Sequence, residues 1–356
     1  METMSHKEFQ LFLWENAFKN AIPVSNIFEL TPLCNLDCKM CYVHLQDPSL
    51  KARVMRKEDW IAIMNQAIEL GMLSATLTGG EAMTHPDFWD IYTHLSNHGI
   101  SISVKTNGIL LNEKAREIFR TLPPSTIDIS IYGCDRKSYL NITGHDAFET
   151  VDRNIRTAIA DGLPLRFMIT PTGLMGERVE EIMRYAKSFG VKTVVNTQLL
   201  DPYEDTGRLK EDFALSPDRV ITILKNAYEL FPPEHIALEE EPGREKEQNE
   251  EEKPDTLRCI AGRSHFAVCW DGVMVPCLNF PRDVICADVK QLGVREAWNA
   301  VHKEIEEFRR PDTCHSCAYR NKCNYCPSSH GKYAKNRQCN PSACALEQRL
   351  IDEFRG

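Results

Sequence analysis

The chain lacks the features that mark a membrane-spanning, secreted or nucleic-acid-binding protein. No window approaches the ~18 to 20 apolar residues that a membrane helix needs. The opening METMSHKEFQ has no basic segment followed by an apolar run. With 42 Lys and Arg against 51 Asp and Glu, the net charge of -9 leaves no cationic surplus for phosphates. We therefore expect a cytoplasmic protein whose partners include no membrane and no nucleic acid.

Cysteine is abundant and unevenly distributed. Of 14 cysteines, three lie between positions 34 and 41 and ten between 259 and 344, with Cys134 alone in the long interval. Disulfides suit small secreted scaffolds, and this chain is neither small nor marked for secretion. Two separate groups of thiolates therefore indicate metal or cluster ligation in two parts of the chain. Cys134 and Cys286 are interpreted as core or surface thiols.

Short apolar runs alternate with amphipathic stretches over the first two hundred residues. Several of these stretches end at a glycine, which permits the left-handed conformation that stops a helix. The alternation predicts an α/β fold with a parallel sheet, whose reactive groups gather at the C-terminal strand ends. The predicted strands are Val24–Leu30, Ser74–Thr78, Ser101–Thr106, Thr126–Ile131, Leu165–Ile169 and Thr193–Leu199.

The loop after the first predicted strand contains Cys34-x3-Cys38-x2-Cys41. Three thiolates at this spacing suit three corners of a four-iron cluster and leave the fourth iron open for a reaction. The alternative is a zinc site with His44 as fourth ligand. Zinc sites usually take paired ligands from two separated arms, so the spacing favours the cluster.

The segment LTPLCNLDCKMCY resembles the signature loop of the radical S-adenosylmethionine (SAM) superfamily, and Thr78-Gly79-Gly80-Glu81 resembles its GGE motif. The resemblance implies a partial (β/α)6 TIM-like barrel with a [4Fe-4S] cluster on the three cysteines. It also implies SAM as cofactor, cleaved by one electron to a 5'-deoxyadenosyl radical. The implied SAM-binding residues are Gly79, Gly80, Glu81, Asn107 and Ser130, with Arg166 and Leu199 as further candidates for the methionine carboxylate and the adenine.

The second cysteine group, Cys259-x12-Gly272-x4-Cys277 and then Cys314-x2-Cys317-x5-Cys323-x2-Cys326, resembles the SPASM extension of that superfamily. The family pattern has three residues, not two, between its last paired cysteines. The extension implies two auxiliary [4Fe-4S] clusters in a smaller, loop-rich, cysteine-ligated C-terminal domain. The implied inner ligands are Cys259, Cys277 and Cys326, with Cys269 as candidate for the fourth, and the implied outer ligands are Cys314, Cys317, Cys323 and Cys344.

Three alternatives stay open at these auxiliary sites. Cys339 competes with Cys344 for the outer site, and an open inner iron competes with ligation by Cys269. Two CxxC pairs five residues apart also suit a four-thiolate zinc site, although zinc would leave the remaining cysteines unexplained.

We predict four segments along the chain. Residues 1–22 form an N-terminal helical extension and residues 23–205 the radical SAM barrel. Residues 206–256 form a helix and an acidic linker, and residues 257–356 the SPASM domain.

The resemblance makes a peptide or protein the expected substrate, because the extension occurs on peptide-modifying enzymes. The leading hypothesis is hydrogen abstraction followed by oxidation or crosslinking (thioether or carbon–carbon) of a ribosomally made peptide. Formylglycine formation of the anaerobic sulfatase-maturing type is one alternative, and dehydrogenation or epimerisation of a small molecule is another.

Two protein partners are also expected. One is a reductant such as flavodoxin or ferredoxin, and the other is a separate leader-peptide-binding protein, because few residues precede the first strand. The alternatives are that the barrel reads the peptide directly or that the substrate is something else. The sequence identifies no catalytic acid or base.

Overall fold

The computed structural model describes residues 5–43, 48–200, 212–232, 236–237, 255–257 and 259–354. His44 and nearly all of the acidic stretch Glu239–Asp255 lie outside these residues. No helix in the described part of the chain is long and apolar enough to cross a membrane.

Strands and short to medium helices alternate along the chain. The strands are β1 Ser25–Glu29, β2 Ser74–Thr78, β3 Ser101–Thr106, β4 Thr126–Ser130, β5 Leu165–Ile169, β6 Thr193–Val195, β7 Ile236–Ala237, β8 His265–Val268, β9 Val273–Val275 and β10 Ala287–Asp288. The helices are α1 His6–Lys19, α2 Lys57–Glu69, α3 Phe88–Asn97, α4 Glu113–Thr121, α5 Arg136–Thr143, α6 Phe148–Ala160, α7 Val179–Lys187, α8 Pro217–Leu230, α9 Val289–Leu292, α10 Val294–Glu307, α11 Pro327–His330, α12 Lys332–Lys335 and α13 Pro341–Phe354.

All six predicted strands are present, and the sixth is shorter than predicted because it ends at Val195. Gly71, Gly99 and Gly162 follow helices with φ of +104°, +70° and +72°. Glycine adopts these conformations at little cost, which explains why the helices stop there.

The chain divides into two compact units that are discontinuous in sequence. The first combines the described parts of Met1–Phe28, Glu58–Ala75 and Glu240–Gly356. The second combines the described parts of Glu29–Lys57 and Thr76–Glu239. The predicted segment bounds stay a prediction.

The second unit contains the parallel sheet, in which β3, β4, β5, β6 and β7 follow β2 in chain order. The registers place Val104 opposite Ile127 and Phe167 opposite Thr193. Helices follow the strands and bury apolar faces, as α6 and α7 do. This unclosed, barrel-like α/β arrangement confirms the predicted fold class and directs the C-terminal strand ends to one edge.

The first unit contains the smaller strands and the second cysteine group. There β1 pairs parallel with β8, and β9 pairs antiparallel with both β8 and β10. The turn between β8 and β9 contains Gly272 with a φ of +89°, so these two strands form a hairpin.

The closing helix α13 begins after Asn340. The side-chain oxygen of Asn340 accepts from the N–H groups of Ser342 and Ala343. This cap satisfies groups that have no partner inside the helix. It therefore fixes the start of the helix whose first turn contains Cys344.

Candidate active site and iron–sulfur centres

The three thiols predicted to hold the reactive cluster lie in one loop after β1. The Leu36 N–H donates to Cys34 Sγ at 3.4 Å, and the Cys41 N–H donates to the Cys38 carbonyl at 3.1 Å. Burial of the sulfur raises the pKa of Cys34 to about 12, although the residue as a whole is exposed. Burial, and then the nearby Cys41 and Cys34, raise the pKa of Cys38. Thiols in this state must release protons when they bind iron.

Gly79 and Gly80 bring the end of β2 into direct backbone contact with this loop. A Cβ on Gly79 would lie 2.4 Å from the Thr31 carbonyl oxygen, and one on Gly80 would lie 2.4 Å from the Leu33 carbonyl oxygen. The Gly80 N–H donates to the Thr31 carbonyl at 2.8 Å. Any other residue would therefore push the cysteine loop away from the strand end.

Glu81 presents a carboxylate that is only 1% exposed. It accepts from the Asn107 N–H at 2.8 Å, the Thr106 hydroxyl at 3.0 Å and the Met83 N–H at 3.3 Å. Burial raises the pKa of Glu81 to about 7, and these donors oppose the shift. A cationic group such as an amine, bound beside this buried carboxyl, would favour its charged form and offset the cost of burial.

Asn107 and Ser130 also lie beside the cysteine loop. The Asn107 amide nitrogen is 3.8 Å from Cys34 Sγ and donates to the Asn35 side chain at 2.7 Å. The Ser130 hydroxyl hydrogen-bonds to Tyr132, and the Tyr132 hydroxyl hydrogen-bonds to Cys38, where it favours the thiolate. Tyr132 is thus a site residue that sequence reasoning missed.

The two remaining candidates for SAM binding are placed differently. The Arg166 guanidinium donates to both carboxylate oxygens of Asp128, at 2.7 Å each, across the β4–β5 pair. Asp128 is buried, so this ion pair restrains the orientation of Arg166. Leu199 is half-buried and lies beyond the end of β6.

These residues fit a cluster with SAM. Three thiols share a short loop, N–H donors reach Cys34, and the buried carboxylate of Glu81 lies at the neighbouring strand end. Sulfur ligands with amide donors are typical of iron–sulfur sites, whose reduction potential depends on such hydrogen bonds.

In the first unit, the predicted outer ligands Cys314 and Cys344 lie close to the competing candidate Cys339. Cys314 Sγ is 3.6 Å from Cys339 Sγ, and the Thr313 hydroxyl donates to Cys339 at 3.5 Å. Burial and the neighbouring Cys339 raise the pKa of both Cys314 and Cys344 to about 12. Burial raises the pKa of Cys323 to about 11. The structure therefore brings Cys339 into contact with the thiols of both Cys314 and Cys344.

Two further side chains lie beside these outer thiols. His330 is buried, and one nitrogen of its ring lies within 4.8 Å of the sulfurs of Cys339 and Cys344. Arg310 is 2% exposed, and its positive charge favours the thiolates of Cys314 and Cys323. Such a buried guanidinium suits a site that gathers negative charge.

The proposed inner ligands occupy two kinds of environment. Cys259, Cys277 and Cys326 are half-buried, whereas Cys269 is fully buried in an apolar cluster with Ala267, Val275 and Leu278. The Cys269 N–H donates to the Val273 carbonyl at 2.8 Å at the hairpin turn. Ligation by Cys269 stays a proposal.

Two family models match this chain. The model of the radical SAM superfamily matches residues 28–188, and the model of SPASM, an iron-sulfur cluster-binding domain, matches residues 259–327. The chain therefore has a radical SAM domain and a SPASM domain. These domains indicate an enzyme and imply [4Fe-4S] clusters and SAM as its cofactors.

Particular relatives differ in how much of the chain they match. A probable GTP 3',8-cyclase of Sulfurisphaera tokodaii is 30% identical over 46% of this chain and 51% of its own length. The chain thus spans about half the length of that relative. An AdoMet-dependent heme synthase of Methanosarcina barkeri is 24% identical over 84% of this chain and 89% of its own length.

Solved structures resemble the chain over most of its length. SuiB of Streptococcus suis bound to SAM has a TM-score of 0.71 at 17% identity, covering 97% of this chain and 84% of SuiB. SuiB bound to precursor peptide SuiA has a TM-score of 0.64 at 15% identity, covering 96% and 82%. The protein anSMEcpe with bound AdoMet has a TM-score of 0.68 at 18% identity, covering 93% and 96%. At these identities the likeness concerns the fold.

Proposed function

We propose that this enzyme abstracts hydrogen from a peptide and oxidises or crosslinks it. The observation that carries the proposal is the SPASM domain on a chain that has the fold of SuiB over 97% of its length. SuiB has been solved with a precursor peptide, which supports a peptide as the substrate class here.

The residues of this chain have separate tasks in that reaction. Cys34, Cys38 and Cys41 would hold the reactive cluster, and Glu81 would hold the amino group of SAM. When bound, these cofactors would supply a radical that removes one hydrogen atom from the substrate and, at the auxiliary sites, a place for the second electron of a two-electron oxidation. The protein binds, orients and excludes water. The expected reductant and leader-binding protein stay predictions.

The test uses anaerobically reconstituted enzyme, SAM, a chemical reductant and a short peptide encoded beside this chain's gene. We expect 5'-deoxyadenosine and a peptide that is lighter by two hydrogens. Deuterium from a labelled residue of the peptide should appear in the 5'-deoxyadenosine. A Cys34→Ala variant is the control, and it should form neither product.

A second candidate function is supported by the relative from Methanosarcina barkeri. That protein is named an AdoMet-dependent heme synthase, and the alignment covers 84% of this chain and 89% of that protein. Here the substrate would be a small heme precursor rather than a peptide.

The two candidates are separated by offering both substrates to the same enzyme preparation. Oxidation of a heme precursor with the peptide unchanged would reject the peptide proposal. A product carrying formylglycine from a sulfatase-derived peptide would support the sulfatase-maturing alternative instead.

A further inference from the structure

Tyr139 lies on α5, whose C-terminal end contacts the reactive cysteine loop. The Asp37 N–H donates to the Thr143 carbonyl at 3.0 Å, and the Lys39 N–H donates to the Ile142 carbonyl at 3.1 Å. Residues three and four positions apart on a helix share a face. Tyr139 is therefore one turn before the residues of α5 that contact the loop.

The ring of Tyr139 is fixed in this position and is only 2% exposed. It meets Tyr132 edge-on at 6.1 Å between ring centroids and Phe148 at 6.3 Å. Gly133 allows the close approach, because a Cβ there would lie 2.5 Å from the Tyr139 nitrogen.

The Tyr139 hydroxyl is buried and has no hydrogen-bond partner among the described residues. Burying a hydroxyl without a hydrogen-bond partner is unfavourable. An acceptor that binds next to this hydroxyl would remove that cost. Burial, and then the charges of Cys38, Cys34 and Glu81, raise the pKa of Tyr139. The phenol thus stays a donor, and the groups that act on it electrostatically belong to the reactive site.

Tyr325 repeats this arrangement independently in the first unit. Its hydroxyl is also buried without a hydrogen-bond partner in the described part of the chain. Its ring stacks on His330 with 4.4 Å between the ring centroids, and the groups that would act on it electrostatically as thiolates are Cys339, Cys314, Cys326 and Cys344. All four groups are thiols, so sulfur is the acceptor that both sites have in common.

We propose that the Tyr139 and Tyr325 hydroxyls donate hydrogen bonds to sulfur atoms of the iron–sulfur clusters, Tyr139 at the reactive cluster and Tyr325 at an auxiliary cluster. Each bond stabilises the more negative, reduced state and raises the reduction potential of its cluster. The inference rests on the iron–sulfur cofactors and is independent of the substrate.

The test is an EPR-monitored redox titration of loaded Tyr139→Phe and Tyr325→Phe enzyme without SAM. We expect the midpoint potential of the reactive cluster to fall in the first variant and that of an auxiliary cluster to fall in the second. The matched control is Tyr92→Phe, because Tyr92 already donates to the Leu122 carbonyl at 2.6 Å. Its potentials should equal those of the wild type. Iron and sulfide content equal to that of the wild type shows that each variant is folded and loaded.

Deuterium exchange provides a second, direct readout. Electron–nuclear double resonance of the reduced clusters in D2O should show an exchangeable deuteron that is lost from the reactive cluster in Tyr139→Phe and from an auxiliary cluster in Tyr325→Phe. Unchanged potentials and unchanged deuteron signals in the loaded variants would overturn the proposal. For Tyr139, weaker SAM binding at an unchanged SAM-free potential would also overturn it, because the acceptor would then be SAM.

Discussion

Replacing Glu81 by glutamine should make the stability of the metal-free protein less dependent on pH. In the loaded enzyme it should weaken SAM binding. The pKa of Glu81 is raised by burial from 4.5 to about 7. Between these values the folded state holds a proton that the unfolded state has lost, so the stability of the wild type falls as pH rises. At ~1.4 kcal/mol per unit, the full loss is about 3 kcal/mol, and most of it falls between about pH 5 and pH 8.

The variant has no proton to lose at this position. We therefore expect the free energy of unfolding of Glu81→Gln, relative to wild type, to rise by about 2–3 kcal/mol from pH 5 to pH 8. The change with pH in the stability difference between variant and wild type is more informative than the difference at one pH. The reason is that the amide nitrogen of glutamine also disturbs the hydrogen bond from the Met83 N–H. That disturbance is the same at both pH values.

The assay is urea unfolding of metal-free wild type, Glu81→Gln and Glu117→Gln at both pH values. Glu117 lies on the exposed face of α4 and serves as the control. A relative stability of Glu81→Gln that stays flat with pH would refute the raised pKa. In loaded enzyme the variant should bind SAM roughly tenfold or more weakly at about pH 8, since it loses a charged partner of the amino group.

The remaining predictions concern the cysteines and one glycine. Cys34→Ala should abolish reductive SAM cleavage because it releases the reactive cluster, whereas Cys314→Ala should retain cleavage while impairing product formation. Measuring 5'-deoxyadenosine by chromatography checks both expectations. Equal cleavage by Cys34→Ala and wild type would reject the assignment of Cys34 as a ligand. Cys344→Ser should lower iron and sulfide content by one cluster and Cys339→Ser should not, and the reverse result would transfer the ligand role to Cys339. The fully loaded protein should contain three four-iron clusters, and near-stoichiometric zinc with iron for one cluster would contradict this. Gly79→Ala should lower the melting temperature and the iron content, because its Cβ would lie 2.4 Å from a backbone oxygen; retention of both would show that the strand end can move.

The sequence by itself determined the features that depend on neighbours along the chain. Cys34, Cys38 and Cys41 lie within one loop, so their spacing alone brings three thiols together. The same holds for the hairpin turn at Gly272 and for the helix ends at glycine, because backbone preference and short loop closure act locally. These local patterns, together with the family resemblance that they carry, were sufficient to predict the fold class and the cofactors.

Only the tertiary structure decided which distant residues meet the site. Tyr139 is far from the cysteine loop in sequence, and its helix meets the loop because α5 follows β4 and accepts hydrogen bonds from the backbone of Asp37 and Lys39. The pairing of Arg166 with Asp128 likewise depends on the register of β4 with β5. Neither contact has a sequence signal, since a tyrosine in an amphipathic helix and an arginine in a strand are both common in ordinary cores and surfaces.

The position of Cys339 belongs to the same category. The spacing of Cys339 from the other cysteines is not part of the CxxC pairs. Its sulfur lies next to that of Cys314 because of how the residues between them fold. The burial that raises the pKa of Glu81 is also a property of the packed strand ends and not of the GGE motif. Sequence spacing therefore determined which chemistry the chain supports, while packing determined the charge, protonation and hydrogen bonding of the groups that perform it.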